Sequence, residues 1–256
     1  MNMDTRSVFM LQLQNFLGRL AIAFVAPFYF LIANVLHYRV RNLRALRRQC
    51  AEAMAAHRGP WLICANHLTM IDSFILSYVI FSFPRHFTNY KKLPWNLPER
   101  RNFQSNPFLA VLCYLSKCIP VDRGGSREKM KQVLDSCTYL LRHGHTIMIF
   151  PEGGRSRTGR VERENVSYGV GRFIQEADEC KVLCLYLRGD KQQRHGLIPA
   201  WGDKFYASME VLTPVKSART GLRAQRDYAQ QIINRIAEME ETYFATHRKR
   251  HRRFKA

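Results

Sequence analysis

Residues 61–74 read WLICANHLTMIDSF. WLICA is an apolar run of strand length, suited to burial on both faces, and the polar Asn66 ends it. His67 follows, then Asp72 five positions on, just as SFILSYVIFSF opens an apolar helix. A buried strand passing through a polar step into a helix is the repeating unit of an α/β fold. In one continuous helix five positions would set the two side chains about 140° apart, so a helix alone cannot pair them. If the helix begins near Thr69, His67 lies in the turn and Asp72 in the first helical turn can reach its Nδ1. That pairing fixes the tautomer and frees Nε2 to take a proton. A plainer reading competes: Thr69 and Asp72 fit a Thr-x-x-acid helix start, in which Asp72 is only a cap partner.

Outward from this stretch the alternation continues. FLAVLCYLSK reads as a helix leading into CIPVDR, a short strand that turns at Gly124 and Gly125. SREKMKQVLDSCTYLLRHG is a helix with Ser126 as N-cap and Gly144 as its stop. TIMIF is a buried strand, FPEGGRSRTGRVE a loop, and VLCLYLRG and FYASMEVLTPV two further strands. RAQRDYAQQIINRIAEMEETYFATH is a long amphipathic helix, followed by the basic tail RKRHRRFKA, a candidate lipid-surface contact. The expectation is an α/β fold with a mixed, mostly parallel sheet flanked by helices. Ligands in such sheets bind beyond the carboxyl ends of the strands. Three polar clusters fall there: Asn66, His67 and Asp72; Asp122 and Arg123; Glu152, Gly153, Gly154 and Arg155.

Forty Lys and Arg against twenty Asp and Glu leave a formal charge of +20, so the surface attracts polyanions, either nucleic acid or anionic lipid. No nucleic-acid recognition pattern accompanies the charge, so no nucleic-acid partner is expected, and a basic membrane-anchored nucleic-acid-binding protein stays the alternative of a different class. Seven scattered cysteines without a C-x-x-C pair fit neither a disulfide framework nor a zinc site, and point to a reducing compartment. Cys180 and Cys184 read as packed thiols, and no metal is expected.

LAIAFVAPFYFLIANVLHY, at 20–38, is the strongest membrane signal. Crossing takes roughly 20 apolar residues, so the stretch is borderline for a span, and Pro27 would kink it. Two geometries compete: one tilted span, or a pair of helices dipping into one leaflet with Arg19 reaching the headgroups. The helix pair is preferred. Arg39, Arg41, Arg44, Arg47 and Arg48 follow it, placing the remainder on the cytoplasmic side, the inner-membrane face if bacterial, or against anionic headgroups. The chain divides into membrane-associating helices at 1–45, an α/β domain at 46–216, and a C-terminal helix with its tail at 217–256.

A histidine base beside a carboxylate suits activation of a hydroxyl. No Ser or Cys sits in a G-x-S-x-G elbow, so nothing suggests a covalent acyl-enzyme. Asn66, His67 and Asp72 match the NHxxxxD block, and FPEGGRS at 150–156 closely resembles the FPEGTRS block, of the glycerolipid acyltransferases; CIPVDRG resembles the block between them. The resemblance covers roughly Trp61 to Leu187. It implies acyl transfer from acyl-CoA or acyl-carrier protein, as donor substrate and with no cofactor, to a lysophospholipid such as 1-acyl-sn-glycerol-3-phosphate at a bilayer. His67 would be the general base and Asp72 its orienting partner. Arg123 and Arg155 would hold the acceptor phosphate, Glu152 would accept hydrogen bonds from the acceptor or nearby donors, and Gly153 would let backbone approach the ligand, beside Asn66. Gly154 stands where the family usually has Thr, and VLCLYLRG lacks the usual Val-Pro pair, so a lyso-aminolipid or other specialised acceptor stays open.

Overall fold

A computed structural model describes residues 3–103, 106–122, 124–164 and 166–253, with side chains described to residue 247. Helix α1 (Thr5–Val35) leads into a two-residue strand β1 (Arg39–Val40), α2 (Leu43–Ala55) and β2 (Trp61–Ala65). Then come α3 (Asp72–Ile80), α4 (Phe83–Thr88), β3 (Pro94–Asn96), α5 (Arg100–Phe103), α6 (Pro107–Leu115) and α7 (Arg127–Arg142). The chain continues through β4 (Thr146–Ile149), α8 (Tyr168–Glu176), β5 (Lys181–Gly189), β6 (Lys204–Leu212) and α9 (Gly221–Arg253).

The six strands form one sheet in the order β1-β6-β5-β2-β4-β3. Every pairing is parallel except β5 with β6, which is antiparallel. Central β2 pairs Cys64 with Ile149 of β4 and with Cys184 of β5, and all five of its residues are buried. Alternation splits their side chains between two cores. Trp61, Ile63 and Ala65 face α1, α2 and α3, whereas Leu62 and Cys64 face α7, α8 and α9. The mixed, mostly parallel sheet flanked by helices is therefore as the sequence implies, and its apolar strands follow from cover on both faces. Gly171 of α8 lets α9 approach closely, since a Cβ there would run into the Gln225 carbonyl of α9.

Two expectations change. CIPV is no regular strand: Cys118 and Val121 make isolated bridges to Asn96 and Glu99, because Pro98 and Pro120 lack the N–H groups a ladder needs. The apolar N-terminal stretch is one unbroken helix of 31 residues rather than a pair, with Pro27 inside it. Among the described residues α1 is the helix long and apolar enough to cross a membrane. It is also docked on the domain along most of its length. Leu11, Gln14, Gly18, Ile22, Val25 and Ala33 are buried, and Gln14 donates to the Tyr114 and Cys118 carbonyls. The opposite face, with Phe9, Phe16, Leu20, Phe24, Leu31 and Val35, is exposed. Spacings of four and seven residues place these on one stripe.

Candidate active site

β2 ends at Ala65, and the chain turns through Asn66–Ile71 before α3 begins at Asp72 itself, three residues later than a start at Thr69. Asp72 therefore occupies the first helical position and reaches back over the turn. Its Oδ2 accepts from His67 Nδ1 at 3.0 Å and from the Leu68 and Thr69 N–H groups at 2.6 and 2.7 Å, while Oδ1 takes the Thr69 hydroxyl. Asp72 is thus the keystone of the turn as well as the partner of His67; the cap reading fails, because Ile71 rather than Thr69 stands at the N-cap and no side chain caps the helix. A carboxylate can only accept, so Nδ1 carries a proton, and in the neutral ring Nε2 then holds the lone pair.

The imidazole stacks on Phe150 with centroids 4.0 Å apart and planes 12° from parallel. Its side chain stays 14% exposed, which is enough to face a cavity rather than be sealed in the core. Among the described residues Nε2 has no hydrogen-bond partner. The cavity, about 320 Å³, is lined beside His67 by apolar residues that include Leu97, Phe103, Val121, Met130, Leu134 and Met148, and by polar Asn96, Glu99 and Asn102.

The FPEGGRS loop follows β4, two strands' ends meeting side by side because β2 and β4 are parallel neighbours. It grips the His67 peptide from both sides. His67 N–H donates to Glu152 Oε1 at 3.0 Å, and Ser156 N–H donates to the His67 carbonyl at 2.9 Å. Burial raises the Glu152 carboxyl to about 7, against the pull of the His67 and Glu162 backbone N–H groups. Gly153 has φ +65°, the left-handed region that favours glycine, and lines the cavity. Arg155 lines it too, donating to the Gly196 carbonyl at 2.9 Å, and among the described residues its charge meets no carboxylate within ion-pair range. On its other side lies a polar recess bounded by Gly154, Ser156 and Arg157.

Asn66 is not brought into the cavity. It is buried, donating to the Leu187 carbonyl at 2.9 Å and accepting from Leu187 N–H at 2.8 Å, so its side chain ties the histidine turn to β5. Glu152 likewise spends its oxygens on backbone donors. Asp122 pairs with Arg100 at 2.8 Å, and Arg123 lies outside the described residues.

Sequence reading missed three contributors. Phe150 and Ser156 stood inside the quoted FPEGGRS block without a role. Glu240 of α9 is 3% exposed, and its Oε2 accepts from Arg160 Nε at 2.8 Å and Val161 N–H at 3.1 Å, which pins the far end of the loop. Its signal was an acid on the apolar stripe shared with Ile233 and Ile236.

A turn-held His–Asp pair opens on a largely apolar cavity with a guanidinium in its lining, an arrangement suited to moving a group between an apolar ligand and a polar one. A family model described as Acyltransferase matches residues 37–188, more than half of the chain, including both blocks just described, and the chain belongs to the glycerolipid acyltransferase family. It is accordingly an acyl-transferring enzyme. No curated protein matches it.

Proposed function

We propose that this enzyme transfers an acyl chain from acyl-CoA or acyl-carrier protein to the free hydroxyl of 1-acyl-sn-glycerol-3-phosphate, giving phosphatidic acid. The observation that carries the reading is His67, held by Asp72, with its unpaired Nε2 edge on a cavity lined largely by apolar side chains and by Arg155. The acyl chain of the thioester fills the apolar part. The acceptor's phosphate meets Arg155, whose planar donors suit a phosphate in two-point contact.

Nε2 takes the proton from the acceptor hydroxyl as its oxygen attacks the thioester carbonyl. The tetrahedral adduct collapses, the carbon–sulfur bond breaks, and the imidazolium returns its proton to the departing thiolate. Asp72 stabilises the imidazolium between these steps. No covalent acyl-enzyme is needed, because both substrates are held together and the base is already placed.

The enzyme docks on one leaflet through the exposed face of α1, to which α4 and α6 add Phe83, Phe87, Phe108 and Val111. Standing α1 upright across the bilayer would drag the domain packed along it into hydrocarbon, so it lies in the interface plane. Exposed Arg39, Arg44 and Arg48 flank it for anionic headgroups, whereas Arg47 is turned inward onto the Tyr78 carbonyl. Seven free cysteines, six of them buried, suit the cytoplasmic face.

A second reading keeps the chemistry and changes the acceptor, because Gly154, which lines the recess beside Arg155, stands where the family usually has a threonine. Incubating purified protein with lysophosphatidic acid, other lyso-lipids and both donor types, with products identified by mass, decides between them. Phosphatidic acid formed with either donor upholds the first reading, another acylated lipid upholds the second, and no product from any pair defeats both.

A further inference from the structure

The segment 191–202, KQQRHGLIPAWG, lies beyond both motif blocks and carries Leu197, Ile198 and Trp201 at 67%, 58% and 59% exposure. Three large apolar side chains at one loop tip are a costly display in water. The base of the loop is built into the active site. Gly196 N–H donates to the Leu68 carbonyl at 2.9 Å, Met70 N–H donates to the Leu197 carbonyl at 3.0 Å, and Arg155 holds the Gly196 carbonyl. Its other end is built onto the end of α1. Gly202 N–H donates to the Leu36 carbonyl at 2.9 Å, the Tyr38 hydroxyl donates to the Pro199 carbonyl at 3.0 Å, and the Trp201 and His37 rings lie 5.1 Å apart.

The exposed tip is thus continuous with Leu31 and Val35 at the end of the apolar stripe of α1. Exposed basic groups surround it: Arg39, Lys191, Arg194 and His195, with Lys191 Nζ donating to the Trp201 carbonyl. A tryptophan and aliphatic side chains rimmed by cations match the boundary between anionic headgroups and acyl chains.

We propose that the 191–202 loop is a second bilayer-docking element, a wedge whose Leu197, Ile198 and Trp201 enter the headgroup boundary and hold the Arg155 side of the cavity at acceptor depth. The inference rests on the membrane-acting reading above. With α1 on one flank and the wedge on the other, a lyso-lipid reaches His67 without leaving the leaflet. The occupant is the lipid surface itself, since the apolar tip continues the bilayer face of α1 and the rim carries the complementary charge.

Trp201 supplies the test. Of the three tryptophans, Trp61 and Trp95 are 1% and 0% exposed, so quenching by lipid reports Trp201. The full-length protein is bound to phosphatidylglycerol–phosphatidylcholine vesicles containing brominated phosphatidylcholine. Emission should shift to the blue, and bromines near the headgroup should quench it more than bromines near the chain ends. Vesicle-bound protein with unshifted, unquenched emission overturns the proposal.

The double variant Leu197→Ser, Ile198→Ser adds an independent reading. Its kcat/KM on vesicle-embedded acceptor should fall roughly tenfold, while a monomeric short-chain acceptor is used as before. Equal loss on both acceptors overturns the wedge. Should the wild type acylate neither acceptor, the functional reading fails, and Trp201 quenching still decides the docking.

Discussion

The carboxylate of Glu152 accepts the backbone N–H of His67 at 3.0 Å, joining residues 85 positions apart and locking the histidine turn to the loop after β4. The second half of the lock is Ser156, whose N–H returns to the carbonyl of the same histidine. His67 is consequently fixed at its peptide by one motif and at its ring by Asp72. Motion of either block relative to the other must break at least one of these bonds.

Burial holds the Glu152 carboxyl at about 7, above its ordinary value near 4.5. Between those values the folded protein binds more protons than the unfolded chain, so this group makes stability fall as pH rises through the window. Glu152→Gln keeps an oxygen for His67 N–H and removes the titration. The variant's Tm relative to wild type should therefore rise steadily from pH 5 to pH 8. A difference that is flat across that range rejects the assignment.

His67→Ala removes the base and leaves the turn, since Asp72 still accepts the Leu68 and Thr69 N–H groups. Turnover should fall by about 10² to 10⁴, the usual worth of a positioned base. The thermal midpoint should stay within a few degrees, because the side chain is partly open to the cavity. Steady-state rates and a melting curve on the same preparation test both halves; wild-type turnover in the variant ends the mechanism.

What the sequence disclosed was local, and what it withheld was long-range. His67 and Asp72 are five positions apart across a strand-to-helix turn, so backbone geometry alone could pair them. The clusters after β2 and β4 were legible because parallel neighbouring strands must deliver their loops to one edge. The partners of Glu152, Arg155 and Asn66 were not, being peptide groups 85, 41 and 121 residues away that carry no side-chain signature. α2 was hidden inside an arginine-rich run that reads as pure charge. Gly169 and Gly171 hid α8 by weakening its helical pattern, and CIPV mimicked a strand by its apolar residues although Pro120, like Pro98 on the facing segment, lacks the N–H a ladder needs.

Arg155 is held to a neutral carbonyl, and on the proposed reading its charge meets the acceptor's phosphate. Hydrogen bonds to a charged group contribute about 1.5–3 kcal/mol. Arg155→Ala should therefore raise KM for a phosphate-bearing acceptor roughly 10- to 100-fold. Arg155→Lys should recover part of this, restoring charge without the planar fork. An acceptor without phosphate should be little affected, and equal losses on both acceptors would remove the phosphate role.

Glu240 reaches the site from outside the family-matched segment. Its carboxylate serves Arg160 and Val161 N–H through one oxygen, while the other lies 3.4 Å from the Tyr186 hydroxyl and 3.8 Å from Arg188. Arg188 in turn donates to the Gly159 carbonyl, so the loop's far end and the last strand of the matched segment converge on one acid. Glu240→Ala leaves Arg188, itself 7% exposed, without its counter-charge, and should cost about 3 kcal/mol of stability. Loosening the loop should also raise KM for the acceptor more than it lowers kcat, since His67 and Asp72 keep their own bond. Glu240→Gln, which can still accept from Val161 N–H, should recover the KM before it recovers the stability. Chemical denaturation and acceptor kinetics on the two variants separate these effects, and a Glu240→Ala enzyme with wild-type KM would confine the residue to holding the fold.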